Sequence, residues 1–242
     1  MSRITEVFGS SPVLLPVIHP IGRTEALAAV RIAHGLGVPG VFLIDQGMDA
    51  HDVLSLVREV HDLYPLLWIG LNLLTRRPAD ALTVALDACD FIAGIWSDDA
   101  GIDERASDST ARPRAEAFVA ARRSRAWNGL YFGGVAFKYQ REVATEDLGR
   151  AAAQAAPYMD VICTSGPGTG QPAAVAKVRE LRLGLGECHA MALASGITPK
   201  NVQIYMPYVQ AFLVGTGIEE RLGVLDPVKI EALLKAMAVK RG

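Results

Sequence analysis

Three glycine-bearing stretches and four isolated polar residues carry the chemistry that can be read from this chain. The stretches are TSGPGTGQPA, from Thr164 to Ala173, then ASGITP, with Ser195 and Gly196, and VGTG, with Gly215, Thr216 and Gly217. Glycine lets backbone N–H groups approach a ligand closely, the arrangement that suits a phosphate. No Gly-Lys-Ser/Thr follows the first stretch, so it is not a Walker loop. Its spacing, Gly166-x-Gly168-x-Gly170, is also a poor dinucleotide fingerprint. Pro172 fits the first turn of a following helix, where its missing N–H does no harm.

The isolated polar residues each close an apolar run. His19 follows VLLPVI, Asp45 follows GVFLI and precedes Gln46, Asn72 sits in GLNLL, and Lys138 follows GGVAF. A strand-end lysine is partly desolvated, which suits acid–base or Schiff-base work. The simplest structural alternative is an ion pair with Asp45. Asp45 is otherwise a general base, a sugar-hydroxyl acceptor or a loop cap. His19 is a candidate acid or base near neutral pH, or a hydrogen-bonded wall residue. Asn72 is a candidate substrate hydrogen bond, and Trp96 a surface on which a base or sugar ring stacks. Asp98 and Asp99 could hold a divalent cation through oxygens, but such a pair is also plain loop chemistry, and no cofactor is expected.

These residues need a scaffold that brings strand ends together. Short apolar runs alternate with longer amphipathic ones along the whole chain. VLLPVIHP precedes RTEALAAVRIAHGLG, GVFLIDQG precedes AHDVLSLVREVHDLYP, LLWIGLNLL precedes RPADALTVALDA, and DFIAGIWS precedes RAEAFVAARRSRA. In the second half GLYFGGVAFK, DVICTSG, HAMALASG and AFLVGTG are followed by TEDLGRAAAQAAPY, AAVAKVRELRLGLG, PKNVQIYMPYV and DPVKIEALLKAMAVKR. Continuous apolar strands imply cover on both faces, and strict alternation implies parallel strands with helical crossovers. Eight such units predict an α/β fold, a closed (β/α)8 TIM barrel spanning 1–242 as a single domain.

In that fold the chemistry lies at the C-terminal strand ends, and phosphate is often held by the loops after strands seven and eight. This makes Gly196, Gly215, Thr216 and Gly217 the predicted phosphate site, with a helix start expected at Ile218. Thr164, Gly166, Gly168, Thr169, Gly170 and Ser195 are predicted to line the same mouth. The loop from Asp98 to Pro113 is the longest, a lid or a solvated connection.

Composition narrows the partners. A net charge of -2 offers no basic field for nucleic acid. No uninterrupted apolar run is long enough for a membrane span. Cys89, Cys163 and Cys188 are odd in number and lack metal spacing, which points to reduced thiols and a cytoplasmic protein. The arginines from Arg122 to Arg125 read as a solvated helix face. Barrels of this size often form homo-oligomers, and Met206, Tyr208 and Phe212 suit a core or an interface equally.

The motifs, in order, resemble the BtpA/SgcQ family of TIM-barrel proteins. The matching pieces are VIHP, IDQG, GLNLL, AFKYQ, TSGPGTGQP, ASGITPKN and VGTG. Two differ from the family pattern: its Glu-Asn is Asp45-Gln46 here, and its Lys-His is Lys138-Tyr139. The resemblance implies the same barrel and the same site location. The family name also implies a non-catalytic factor that supports assembly of a membrane complex such as photosystem I. The residues themselves point to an enzyme acting on a small phosphorylated substrate, a sugar phosphate or phosphoribosyl compound. Lys138, Asp45 and His19 would be catalytic, with isomerase, lyase and glycosyl-transfer chemistry all open.

Overall fold

A computed structural model describes residues 2–106 and 112–239. Eight parallel strands close on themselves in chain order: β1 (Val13–Ile18), β2 (Gly40–Ile44), β3 (Trp68–Asn72), β4 (Gly94–Ser97), β5 (Leu130–Gly134), β6 (Val161–Ser165), β7 (Ala190–Ala194) and β8 (Ala211–Val214). β8 returns to β1 with Val13 opposite Ala211 and Pro16 opposite Val214. The helices are α1 (Arg3–Phe8), α2 (Arg23–Gly35), α3 (Ala50–Leu63), α4 (Pro78–Ala88), α5 (Pro113–Ser124), α6 (Leu148–Ala155), α7 (Val175–Leu185), α8 (Val202–Tyr205) and α9 (Pro227–Ala238). The expected closed barrel is therefore the observed fold.

The pleat divides the apolar residues into two cores. Leu14, Val41, Leu43, Ile69, Ile95, Tyr131, Ile162, Met191 and Phe212 face outward against the helices. Val13, Leu15, Val17, Phe42, Trp96, Phe132, Val161 and Cys163 fill the interior. Phe42 sits edge-on to Trp68, Trp96 and Phe132 at 5.2, 5.7 and 5.1 Å. The facing wall is small: Ala190, Ala192, Ala194 and Ala211. Bulk on β2 to β5 and alanine on β7 and β8 let one layer of rings fill the bore. α1 stoppers the N-terminal end, with Ile4 fully buried and Phe8 5.3 Å from Trp68.

Several local expectations change. The fourth strand begins at Gly94, not Asp90. The seventh helix contracts to α8, four residues long. No helix starts at Ile218; the chain forms an antiparallel hairpin there, β9 (Glu219–Arg221) and β10 (Val224–Leu225). α9 follows, and Asp226 caps its first turn by accepting from the N–H groups of Val228 and Lys229. That carboxylate leaves no free helix dipole to offer an anion. Pro172 lies ahead of α7 rather than inside its first turn. Arg122 is not merely solvated: it pairs with Asp160 at 2.8 Å and donates to the carbonyls of Trp127 and Gly129. Cys188 is exposed in the turn before β7, whereas Cys89 and Cys163 are buried thiols. Phe212 belongs to the core. Residues 107–111 of the long loop lie outside the described residues, and with them the lid reading. Among the described residues no helix is long and apolar enough to cross a membrane.

Candidate functional site

Alternation decides which strand-end residues enter the mouth. In β1, Val13, Leu15 and Val17 point inward, so His19 does too. In β3 and β4 the same parity brings in Asn72 and Asp98. Asn72 is 1% exposed and donates from Nδ2 to Asp98 Oδ1 at 3.1 Å. Burial holds the Asp98 carboxyl above its usual range, against the opposing pull of Asn72 and of the Lys138 ammonium. Cys163, directly beneath, is pushed well above the usual thiol range by burial and by the charge on Asp98. It stays protonated and is no nucleophile.

The parity excludes two expected residues. Phe42 and Ile44 face inward on β2, so Asp45 turns out. It accepts from the N–H of Leu74 at 2.6 Å and ties the end of β2 to the loop after β3. Its carboxyl is raised by burial. It caps a loop and makes no ion pair with Lys138. Thr164 likewise lies between inward Cys163 and Ser165; it is fully buried, and its hydroxyl donates to the Ala136 carbonyl. The structure does not bring Asp45 or Thr164 to the mouth.

Lys138 reaches the site from a loop rather than from a strand end, because β5 stops at Gly134. The loop is held twice. The Lys138 N–H donates to Ser165 Oγ at 2.8 Å. Lys177 donates from Nζ to the carbonyls of Ala136 and Ser165, and its burial lowers its pKa to about 8. Lys138 Nζ lies 3.4 Å from Thr169 Oγ1 at the tip of the first glycine loop. Tyr139 clamps that tip, its hydroxyl 3.1 Å from Thr169 Oγ1 and accepting from the Thr169 N–H.

The three glycine loops pack against one another. A Cβ on Gly196 would lie 2.2 Å from Pro172 N, and one on Gly217 would lie 2.0 Å from the Ile197 carbonyl. Ser195 adopts φ +73°, a conformation a non-glycine residue takes only when its surroundings impose it. The result is a small cavity of about 40 Å³ lined by His19, Trp96, Lys138, Thr169, Gly170, Ser195, Gly215 and Thr216. Among the described residues, the backbone N–H groups of Gly196, Gly215, Thr216 and Gly217 meet no acceptor. Trp96 is 4% exposed, and its indole N–H also has no partner. Trp96 packs 6.0 Å from Phe137, and at 4% exposure it leaves no open face for a ligand ring to stack on. Gly166 and Gly168 back the loop against Gln171 and do not line this cavity.

Several contributors were not singled out from sequence for the mouth. Ser165 anchors Lys138. Glu219 Oε1 meets His19 Nδ1 at 2.8 Å. Arg76, Arg77 and Arg114 line a second cavity of about 240 Å³ beside Asn72 and Asp98. Asp98 bonds Asn72 instead of standing free beside Asp99. Asp99 turns away to pair with Arg114 at 2.5 Å, and no metal-holding group of His, Cys, Asp or Glu gathers among the described residues.

No family model and no curated protein matches the chain. Solved structures do. Phosphoribosyl anthranilate isomerase from Thermus thermophilus superposes with TM-score 0.62 at 17% identity, covering 93% of this chain and 98% of that one. A structure described as native KDPGal gives TM-score 0.63 at 14% identity, covering 93% of each chain. Phosphoribosyl anthranilate isomerase from Thermotoga maritima gives 0.60 at 16%, covering 94% and 100%. At these identities the likeness establishes the fold: the chain is built as a TIM barrel over nearly its whole length.

Proposed function

We propose that the protein is an enzyme acting on a small phosphorylated substrate, a sugar phosphate or a phosphoribosyl compound, at the C-terminal mouth of the barrel. The observation that carries this reading is the convergence of unpartnered donors. The unpartnered N–H groups of Gly215, Thr216 and the Trp96 indole belong to residues that line one cavity, and those of Gly196 and Gly217 are their neighbours in sequence. The Lys138 ammonium, 3.4 Å from Thr169 Oγ1, lines the same cavity; a row of donors beside a cation is what a phosphoryl group binds. Gly196, Gly215, Thr216 and Gly217 hold the phosphate, with Ser195 beside them. Asp98, poised between Asn72 and Lys138, takes the acid–base role that its raised affinity for a proton suits. Lys138 polarises the reacting group, and His19 lines the same cavity. The fold neighbours named for phosphoribosyl anthranilate support the substrate class.

Thermal unfolding with ribose 5-phosphate, with ribose and with inorganic phosphate tests it. A ligand at 100 times its Kd stabilises by about 2.7 kcal/mol, or about 5–10 °C for a chain of this size. The phosphorylated sugar is expected to give such a shift and ribose none, and Lys138→Gln is expected to reduce it. No shift with any phosphorylated ligand would turn the account towards the non-catalytic assembly factor.

A further inference from the structure

The hairpin that replaces the expected helix after β8 has one buried polar side chain, and it points at the site. Glu219 is 5% exposed and His19 8%. They meet through His19 Nδ1 and Glu219 Oε1 at 2.8 Å, and the same Oε1 accepts from the Gly223 N–H at 3.1 Å. The hairpin is fixed in turn: Lys229 Nζ donates to the Glu219 carbonyl at 2.6 Å, and the Asp226 N–H donates to the Ile218 carbonyl at 2.8 Å. Gly215 leaves room for the ring, since a Cβ there would lie 2.6 Å from His19 Cε1. Hairpin, glycine and strand end thus hold one imidazole in one orientation.

We propose that Glu219 is the positioning residue that selects the tautomer of His19, and so makes Nε2 a proton acceptor in the mouth, alongside the acid–base group Asp98. An ionised carboxylate only accepts hydrogen bonds, so the proton of a neutral His19 sits on Nδ1. Nε2 then carries the lone pair. It makes no hydrogen bond among the described residues, and the ring lines the cavity beside Lys138 and Trp96. A substrate C–H or O–H proton transferred to Nε2 leaves an imidazolium that keeps its Nδ1–H. Its new positive charge faces the Glu219 carboxylate, and the same proton returns from Nε2 to the product. This assignment rests on the enzyme reading above. It gives the hairpin a purpose that barrel closure does not require.

The test reads the ring nitrogens directly. In protein with ¹⁵N-labelled histidine, two-dimensional NMR above neutral pH separates the two tautomers. The signals that vanish in His19→Gln identify His19 among the five histidines. The expected result is a protonated Nδ1 and an unprotonated Nε2 in the unsubstituted protein. Glu219→Gln is expected to keep that tautomer, because the Gly223 N–H still orients the side-chain oxygen as an acceptor. Glu219→Leu is expected to lose it in favour of Nε2–H. A wild-type His19 protonated on Nε2 would overturn the proposal without recourse to any variant. So would an unchanged tautomer in a folded Glu219→Leu. Neither outcome depends on whether phosphate binds, so this result and the thermal-shift result fail separately.

Discussion

At the scale of single residues the mouth is a contest between burial and pairing. Asp98 carries the conflict: desolvation raises its affinity for a proton while Asn72 and Lys138 oppose that rise. The folded chain therefore holds this proton more tightly than the unfolded chain does. Stability contributed by Asp98 is lost as pH rises above the ordinary value of 3.8. Asp98→Asn keeps a side chain that can bond Asn72 and removes the buried charge. Denaturant unfolding is expected to show the variant more stable than the wild type at pH 7, with the gap closing towards pH 4. A gap that widened on acidification would contradict the assignment. Trp96 gives a complementary case. Its N–H has no protein partner, so Trp96→Phe should cost the free protein packing but no hydrogen bond, while weakening a phosphorylated ligand about 10-fold. Calorimetric titration checks this, and equal affinities would remove Trp96 from the site. Parity would have separated Asp98 from Asp45 in advance: Phe42 and Ile44 share one face of β2, and Asp45 falls on the other. Glu219 had no such signal, because its hairpin carries no strand-length pattern.

Elements were legible wherever two faces had to be covered. Each core strand shows a continuous apolar run because the bore lies on one side and helices lie on the other. α1 was not legible, because six residues are too few to show helical periodicity. The hairpin hid within a stretch whose glycines suggested a helix start. The helix layer also contains a contact that periodicity does not announce. A Cβ on Gly184 of α7 would lie 2.0 Å from the Gly149 carbonyl of α6, whereas one on Gly149 meets nothing nearer than 3.6 Å. Gly184→Ala is therefore expected to cost about 1–3 kcal/mol by forcing the helices apart. Gly149→Ala, at an unhindered helical position, is expected to be neutral or to stabilise by about 1 kcal/mol. Chemical denaturation of the pair measures the asymmetry, and equal effects would mean that the two helices do not meet at this point.

For the whole molecule, barrel closure converts scattered motifs into one site. Residues from His19 to Thr216 meet at one cavity only because eight strand ends are brought into a ring. The fold was readable from repetition alone; the substrate was not, since the same ring serves unrelated chemistries. The central claim is that the loops after β7 and β8 hold a phosphoryl group, and a crystal structure with ribose 5-phosphate tests it most directly. Phosphoryl oxygens are expected within hydrogen-bonding distance of the N–H groups of Gly196 and of residues 215–217, with the sugar extending towards Asp98 and Lys138. A phosphoryl group bound away from those loops, or a mouth left open at saturating ligand, would contradict it.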